Sequence, residues 1–219
     1  MLLSFTRQIG LKRALCLTET DFNQYISRLR NLSSTYTSLY AFDNLIDERK
    51  VDYDSAIMDR AWWDFDITHN LTMDQVKSDV ANLINRLDGD VRAVATGRGF
   101  HVHQFFDKPV IGRDWATKLD AYEKKMAEGL VSLDGVGYPE KLARVPDTYN
   151  PKRGRWAVTI DARAFAQDPF GYRIPKLPDP NLSNLNPFNG VPLCERISLT
   201  KWCRDNKHLF ERPVEASTT

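Results

Sequence analysis

Ala61-Trp62-Trp63-Asp64-Phe65-Asp66-Ile67 interleaves two carboxylates with bulky apolar residues at a period of two. That alternation, with its aromatic content, predicts a β-strand. Side chains two apart on a strand share a face. Asp64 and Asp66 therefore point one way, and Trp63 and Phe65 face the core on the other. Two ionised carboxylates side by side repel each other, so folding alone does not favour the pair. A divalent cation removes the conflict. Mg²⁺ and Mn²⁺ take oxygen ligands, which makes the pair a candidate site for one or two such ions. The plainer alternative is a solvated strand edge carrying two harmless acids.

Working outward, Thr72 followed by Gln75 is a capping-box pattern. Met73, Val76, Val80, Leu83, Ile84 and Leu87 form one apolar stripe, so residues 72–87 are predicted as a helix. Val91 to Ala95 and Phe100 to Phe106 read as strands joined through Gly97-Arg98-Gly99, a hairpin with a glycine-flanked tip. Such glycines let a phosphate approach the backbone. Arg98 is placed to hold phosphate oxygens with two nitrogens. His101 and His103 share one strand face and are two of only 4 histidines. The bland reading of this stretch is a hairpin with one satisfied core histidine. Residues 114–127 read as a helix, and Val131 to Asp134 as a short strand stopping at Gly135. Upstream, Phe22, Tyr25, Ile26 and Leu29 predict a helix over 20–31, while 37–47 shows no clear period.

The chain has 219 residues, 30 of them Lys or Arg and 29 Asp or Glu, for a net charge of +1. A globally basic nucleic-acid coat is excluded, and any such surface must come from local segregation of charge. Between 141 and 176 there are eight basic and three acidic residues, a local surplus of five, with Tyr149, Trp156 and Tyr172 interleaved. Cations bind phosphates and aromatic faces stack on bases. Three cysteines make no disulfide framework, and Cys194, Cys203 and His208 fit no common zinc spacing. No signal-peptide core and no run of about 20 apolar residues is present. A cytoplasmic protein without a membrane partner is expected.

In order, these pieces resemble the archaeo-eukaryotic primase superfamily, the catalytic small subunits of primases and their primase-polymerase relatives. The resemblance rests on Trp63-Asp64-Phe65-Asp66, on Gly97-Arg98-Gly99-Phe100-His101, and on Leu133-Asp134 followed by Arg144-Val145-Pro146 and Asn150-Pro151-Lys152-Arg153-Gly154. It covers roughly residues 37–160. It implies an α+β fold with a central antiparallel, RRM-like sheet flanked by helices. It implies that Asp64, Asp66 and Asp134 are the catalytic, metal-binding carboxylates of a two-metal Mg²⁺ or Mn²⁺ site. It implies that Arg98, His101, Arg144, Asn150 and Lys152 bind the nucleotide. Single-stranded DNA and nucleoside triphosphates are the implied partners, with a helicase or accessory replication subunit beside them. Gly99 stands where the family carries serine, a departure expected to bear on nucleotide discrimination. No zinc module is evident. The short length resembles compact viral or plasmid members.

Two other readings stay open. His101-Val102-His103 as a metal site with Tyr122 as nucleophile matches a rolling-circle initiator endonuclease of the HUH class. A non-catalytic nucleic-acid-binding module would need none of these groups. Residues 1–165 are expected to form the catalytic core. Six prolines within 24 positions mark 166–219 as an irregular extension, with a short helix near 198–205 and a frayed end over 215–219.

Overall fold

The computed structural model describes residues 5–68, 70–188 and 192–210. The predicted fraying over 215–219 lies outside the described residues. Two short strands, β1 (Arg7–Ile9) and β2 (Ala14–Cys16), form an antiparallel hairpin. Helix α1 (Glu19–Leu29) follows, capped by Thr18, whose hydroxyl accepts from the Asp21 amide. Strand β3 (Tyr36–Ser38) pairs with β1. Next come β4 (Ala41–Phe42) and a hairpin of β5 (Leu45–Asp47) and β6 (Lys50–Val51), exposed except for the buried Val51. The ambiguous stretch 37–47 is thus several strand fragments, each too short to show a period.

The long strand β7 (Ala56–Asp66) carries the aromatic–aspartate alternation. Helix α2 (Met73–Arg86) starts at Thr72 with both bonds of the capping box, Thr72 to the Gln75 amide and Gln75 to the Thr72 amide. Strands β8 (Val91–Ala95) and β9 (Gly99–Ile111) are the hairpin, and β9 runs five residues beyond the predicted Phe106. Helix α3 (Arg113–Met126) leads to β10 (Leu133–Val136). This last strand does not stop at Gly135. A bulge opposite β7 leaves Asp134 unpaired and lets the chain continue to Val136.

From β7 to β10 the order is βαββαβ, and the strands lie β10-β7-β9-β8, all antiparallel. This is the RRM-like arrangement. The chain is an α+β protein.

Four further strands follow. Strand β11 (Leu142–Arg144) joins β3 at the edge of the N-terminal sheet. Strands β12 (Tyr149–Asn150) and β13 (Arg155–Trp156) form a small hairpin, and β14 (Val158–Ile160) pairs with β8 as a fifth strand. A helix absent from the sequence reading, α4 (Ala162–Gln167), spans the expected boundary at 165/166. Helix α5 (Leu199–Asp205) matches the short helix expected near 198–205.

Trp63, Phe65 and Phe100 are fully buried on the back face of the central sheet. Trp63 meets Tyr122 of α3, and Phe100 meets Phe165 of α4. The front face carries Trp62, Asp64 and Asp66 of β7 beside His103, His101 and Gly99 of β9. Its His103 end is covered. Phe188 packs edge-on against His103, and Arg60 donates to the Pro187 carbonyl. No helix among the described residues is long and apolar enough to cross a membrane.

Candidate active site

The open end of the front face is a cleft of about 330 Å³. Strand register places Asp64 directly opposite His101 and Asp66 opposite Gly99. The same cleft is lined by Arg98, Arg144 and Asn150. Six of the residues singled out from the sequence thus face one space, from three separate parts of the chain.

Two are placed elsewhere. Lys152 lies exposed in the turn between β12 and β13, and its neighbour Arg153 lines the cleft instead. Asp134 is exposed on the bulge of β10 and does not line the cleft. It still acts on Asp64 through space. The bulge is held by Ser132, whose amide and hydroxyl both donate to Asp79 of α2 at 2.8 Å.

Burial, then the nearby Asp134 and Asp66, push the Asp64 carboxyl up to about 7. Lys141 and Arg98 act against that rise. Asp66 is held by Arg98, whose Nη2 donates to Oδ2 at 2.6 Å and whose Nε donates to Oδ1 at 3.2 Å. His101 Nε2 lies 3.4 Å from Asp64 Oδ1. Burial, with Arg144 as a smaller cause, lowers His101 to about 3, so the ring is neutral at physiological pH. Arg144 is buried and donates to the carbonyls of Thr96 and Thr148. Its Nε and the Nδ1 of His101 have no partner. Unpaired buried donors and acceptors cost free energy unless something satisfies them. Here two of them border the cleft.

Strand β7 is fixed from behind. The buried Glu123 of α3 accepts from the Trp62 amide through Oε1, and its own carbonyl accepts from Trp63 Nε1 at 2.9 Å. The hairpin tip is equally constrained. A Cβ at Gly99 would lie 1.7 Å from the Phe65 carbonyl oxygen. The family's serine therefore has no room here.

A divalent cation can be judged against these residues. Among the described residues, no three His, Cys, Asp or Glu side chains are gathered closely enough to enclose an ion as they stand. Yet Asp134 and Asp66 lie near enough to Asp64 to disfavour its charge, and the donors of all three are oxygens. That set suits a hard cation.

The HUH arrangement does not form. His103 is completely buried with neither ring nitrogen bonded. Tyr122 is buried on the opposite face of the sheet, against Trp63, with its hydroxyl donating to Gln104. A nucleophile and its metal cannot act through a packed sheet.

Sequence reasoning passed over Tyr36, Thr96, Leu142 and Arg153, which also line the cleft. Arg153 sits in the same basic run as Lys152, so charge alone gave no way to choose between them. Tyr36 comes from the N-terminal sheet and belongs to no motif.

No family model and no curated protein matches the chain. Among solved structures it is similar to the polymerase domain from Mycobacterium tuberculosis ligase D in complex with DNA. The identity is 14%, 94% of this chain and 72% of that chain are covered, and the TM-score is 0.47. So distant a likeness leaves the function to rest on the residues of the cleft.

Proposed function

We propose that the chain is a metal-dependent nucleotidyltransferase of the primase-polymerase type, joining nucleoside triphosphates on a single-stranded DNA template. One observation carries the proposal. Asp64 and Asp66 face Arg98, Arg144 and Arg153 across a single cleft, with the neutral His101 between them. Phosphoryl transfer depends mainly on positioning and electrostatics, and this is the charge pattern it needs.

In this reading Asp64 and Asp66, with Asp134 beside them, hold Mg²⁺ or Mn²⁺. Bound there, the ions supply the Lewis acidity that favours attack by a 3′-hydroxyl and departure of pyrophosphate. Arg98 and Arg153 line the cleft mouth and bind the triphosphate oxygens. The buried Arg144 lends its charge from the cleft wall. His101 stays unprotonated and adds no charge, so it orients rather than clamps: its ring is wedged edge-on against Trp62, with centroids 5.0 Å apart. Asn150 is left to make a neutral hydrogen bond to sugar or base.

Incubating the full chain with labelled nucleoside triphosphates and single-stranded DNA tests the proposal. Primed and unprimed templates are run in Mg²⁺ and in Mn²⁺. Template-dependent products that vanish in EDTA are expected. A folded chain that extends no primer in any lane contradicts the reading.

A further inference from the structure

The tip of the β8–β9 hairpin separates two cavities. Thr96, Arg98 and His101 line the front cleft, whereas Ala95, Gly97, Gly99 and Phe100 line a second space behind it. Strand alternation turns Ala95 away from Thr96 and Phe100 away from His101, while Gly99, which has no side chain, borders the rear space through its backbone. The rear cavity is about 380 Å³ and sits where the sheet meets the start of α2 and the C-terminal segment. That size lies within the usual range of small-ligand sites.

Its walls are apolar, made by Met73, Phe100, Val158 and Ile174. Trp156 closes one side. Its mouth carries two cations, Arg155 and Lys176. Both are exposed, and neither forms an ion pair among the described residues. Arg155 is instead held in place, donating to the Gly97 carbonyl at 3.0 Å with its stem against Gly97. A Cβ at Gly97 would sit 3.2 Å from Arg155 Cβ, at a φ of +96°. The glycine thus keeps the guanidinium where it is.

An apolar cavity lined by Phe100 and Trp156, with the exposed cations Arg155 and Lys176 on its rim, matches a nucleobase with an attached phosphate. We infer that the rear cavity is a nucleotide-binding site, separate from the front cleft, that takes the base between Trp156 and Met73 and the phosphate on Arg155 and Lys176. The ligand is a nucleoside monophosphate unit, either free or part of a DNA strand. The site contains no carboxylate among its lining residues, so binding needs no divalent cation. It is also independent of any transfer reaction at the front.

Equilibrium dialysis of the full chain in EDTA tests this, with AMP and a short 5′-phosphorylated oligodeoxynucleotide as probes. Saturable binding of at least one probe is expected, at one site per chain. It should weaken at least about tenfold, or 1.4 kcal/mol, in Lys176→Glu and in the cavity-filling Met73→Trp. It should persist in Asp64→Asn/Asp66→Asn. Tighter binding of the oligonucleotide assigns the ligand to a strand, and tighter binding of AMP to free nucleotide. The inference is overturned if neither probe saturates. It is equally overturned if both cavity variants bind as the wild type does, or if the aspartate variant abolishes binding. Loss of nucleotide transfer alone leaves this result untouched, so the two failures are distinguishable.

Discussion

Arg98 grips Asp66 with two guanidinium nitrogens, Nη2 at 2.6 Å and Nε at 3.2 Å, across the mouth of the cleft. A positive charge thus already stands against the carboxylate proposed to bind metal. The pair is well exposed on the arginine side, so it contributes little to folding, under about 1 kcal/mol. Arg98→Ala should melt within a few degrees of the wild type. It should bind Mn²⁺ more tightly, because a competing cation is gone, while its KM for nucleoside triphosphate rises about tenfold. Mn²⁺ titration followed by electron paramagnetic resonance, beside steady-state kinetics, checks both. Weaker Mn²⁺ binding would show that Arg98 supports the carboxylates rather than competing for them.

His103 is buried with two unbonded nitrogens, between Phe188 and His101. Burial, then Arg60, His101 and Arg92, holds its pKa well below its ordinary 6.5. The native state therefore binds fewer protons than the unfolded chain below that pH, and stability is lost as the pH falls through it. His103→Leu removes both penalties. The variant should match or exceed the wild type by about 1 kcal/mol at pH 8. Its advantage should widen as the pH drops below 6.5 and stay constant above it. Urea melts at several pH values measure this, and nucleotide incorporation should survive the change.

Gly99 faces the Phe65 carbonyl so closely that any side chain displaces a strand. Gly99→Ser, which introduces the residue carried by the primase superfamily whose motifs the sequence resembles, should therefore lower stability by several kcal/mol and disturb Asp66, its cross-strand partner. Thermal melts and incorporation assays should fall together. A stable, active serine variant would mean that β7 and β9 part easily at the tip.

Tyr122 tests the abandoned nuclease reading. Tyr122→Phe loses only the hydroxyl bond to Gln104 and should cost about 1 kcal/mol with incorporation retained. A protein–DNA adduct that this variant removes would reinstate the tyrosine as a nucleophile.

The central sheet was legible because its elements are long enough to show a period. Trp63 and Phe65 against Asp64 and Asp66, and the stripe of α2 from Val76 to Ile84, announce strand and helix on their own. The N-terminal sheet was not, because β1, β2 and β3 have three residues each and are completed by β11 from far downstream. A three-residue strand has no period, and its partner is chosen by tertiary packing. The same limit applies to the site. Residues in local motifs converge on the cleft, whereas Tyr36 arrives through that N-terminal sheet. The bulge at Asp134 was likewise invisible, because one extra residue leaves no mark on composition.

The most direct test replaces Asp64 and Asp66 together by Asn, which keeps their shape and removes their charge. Burial near Asp66 and Asp134 disfavours the Asp64 carboxylate, so the variant should fold at least as stably as the wild type. Its rate of template-dependent nucleotide incorporation in Mn²⁺ should nevertheless fall at least about a hundredfold. A folded variant that still incorporates nucleotides at the wild-type rate would contradict the assignment of these two carboxylates to the reaction.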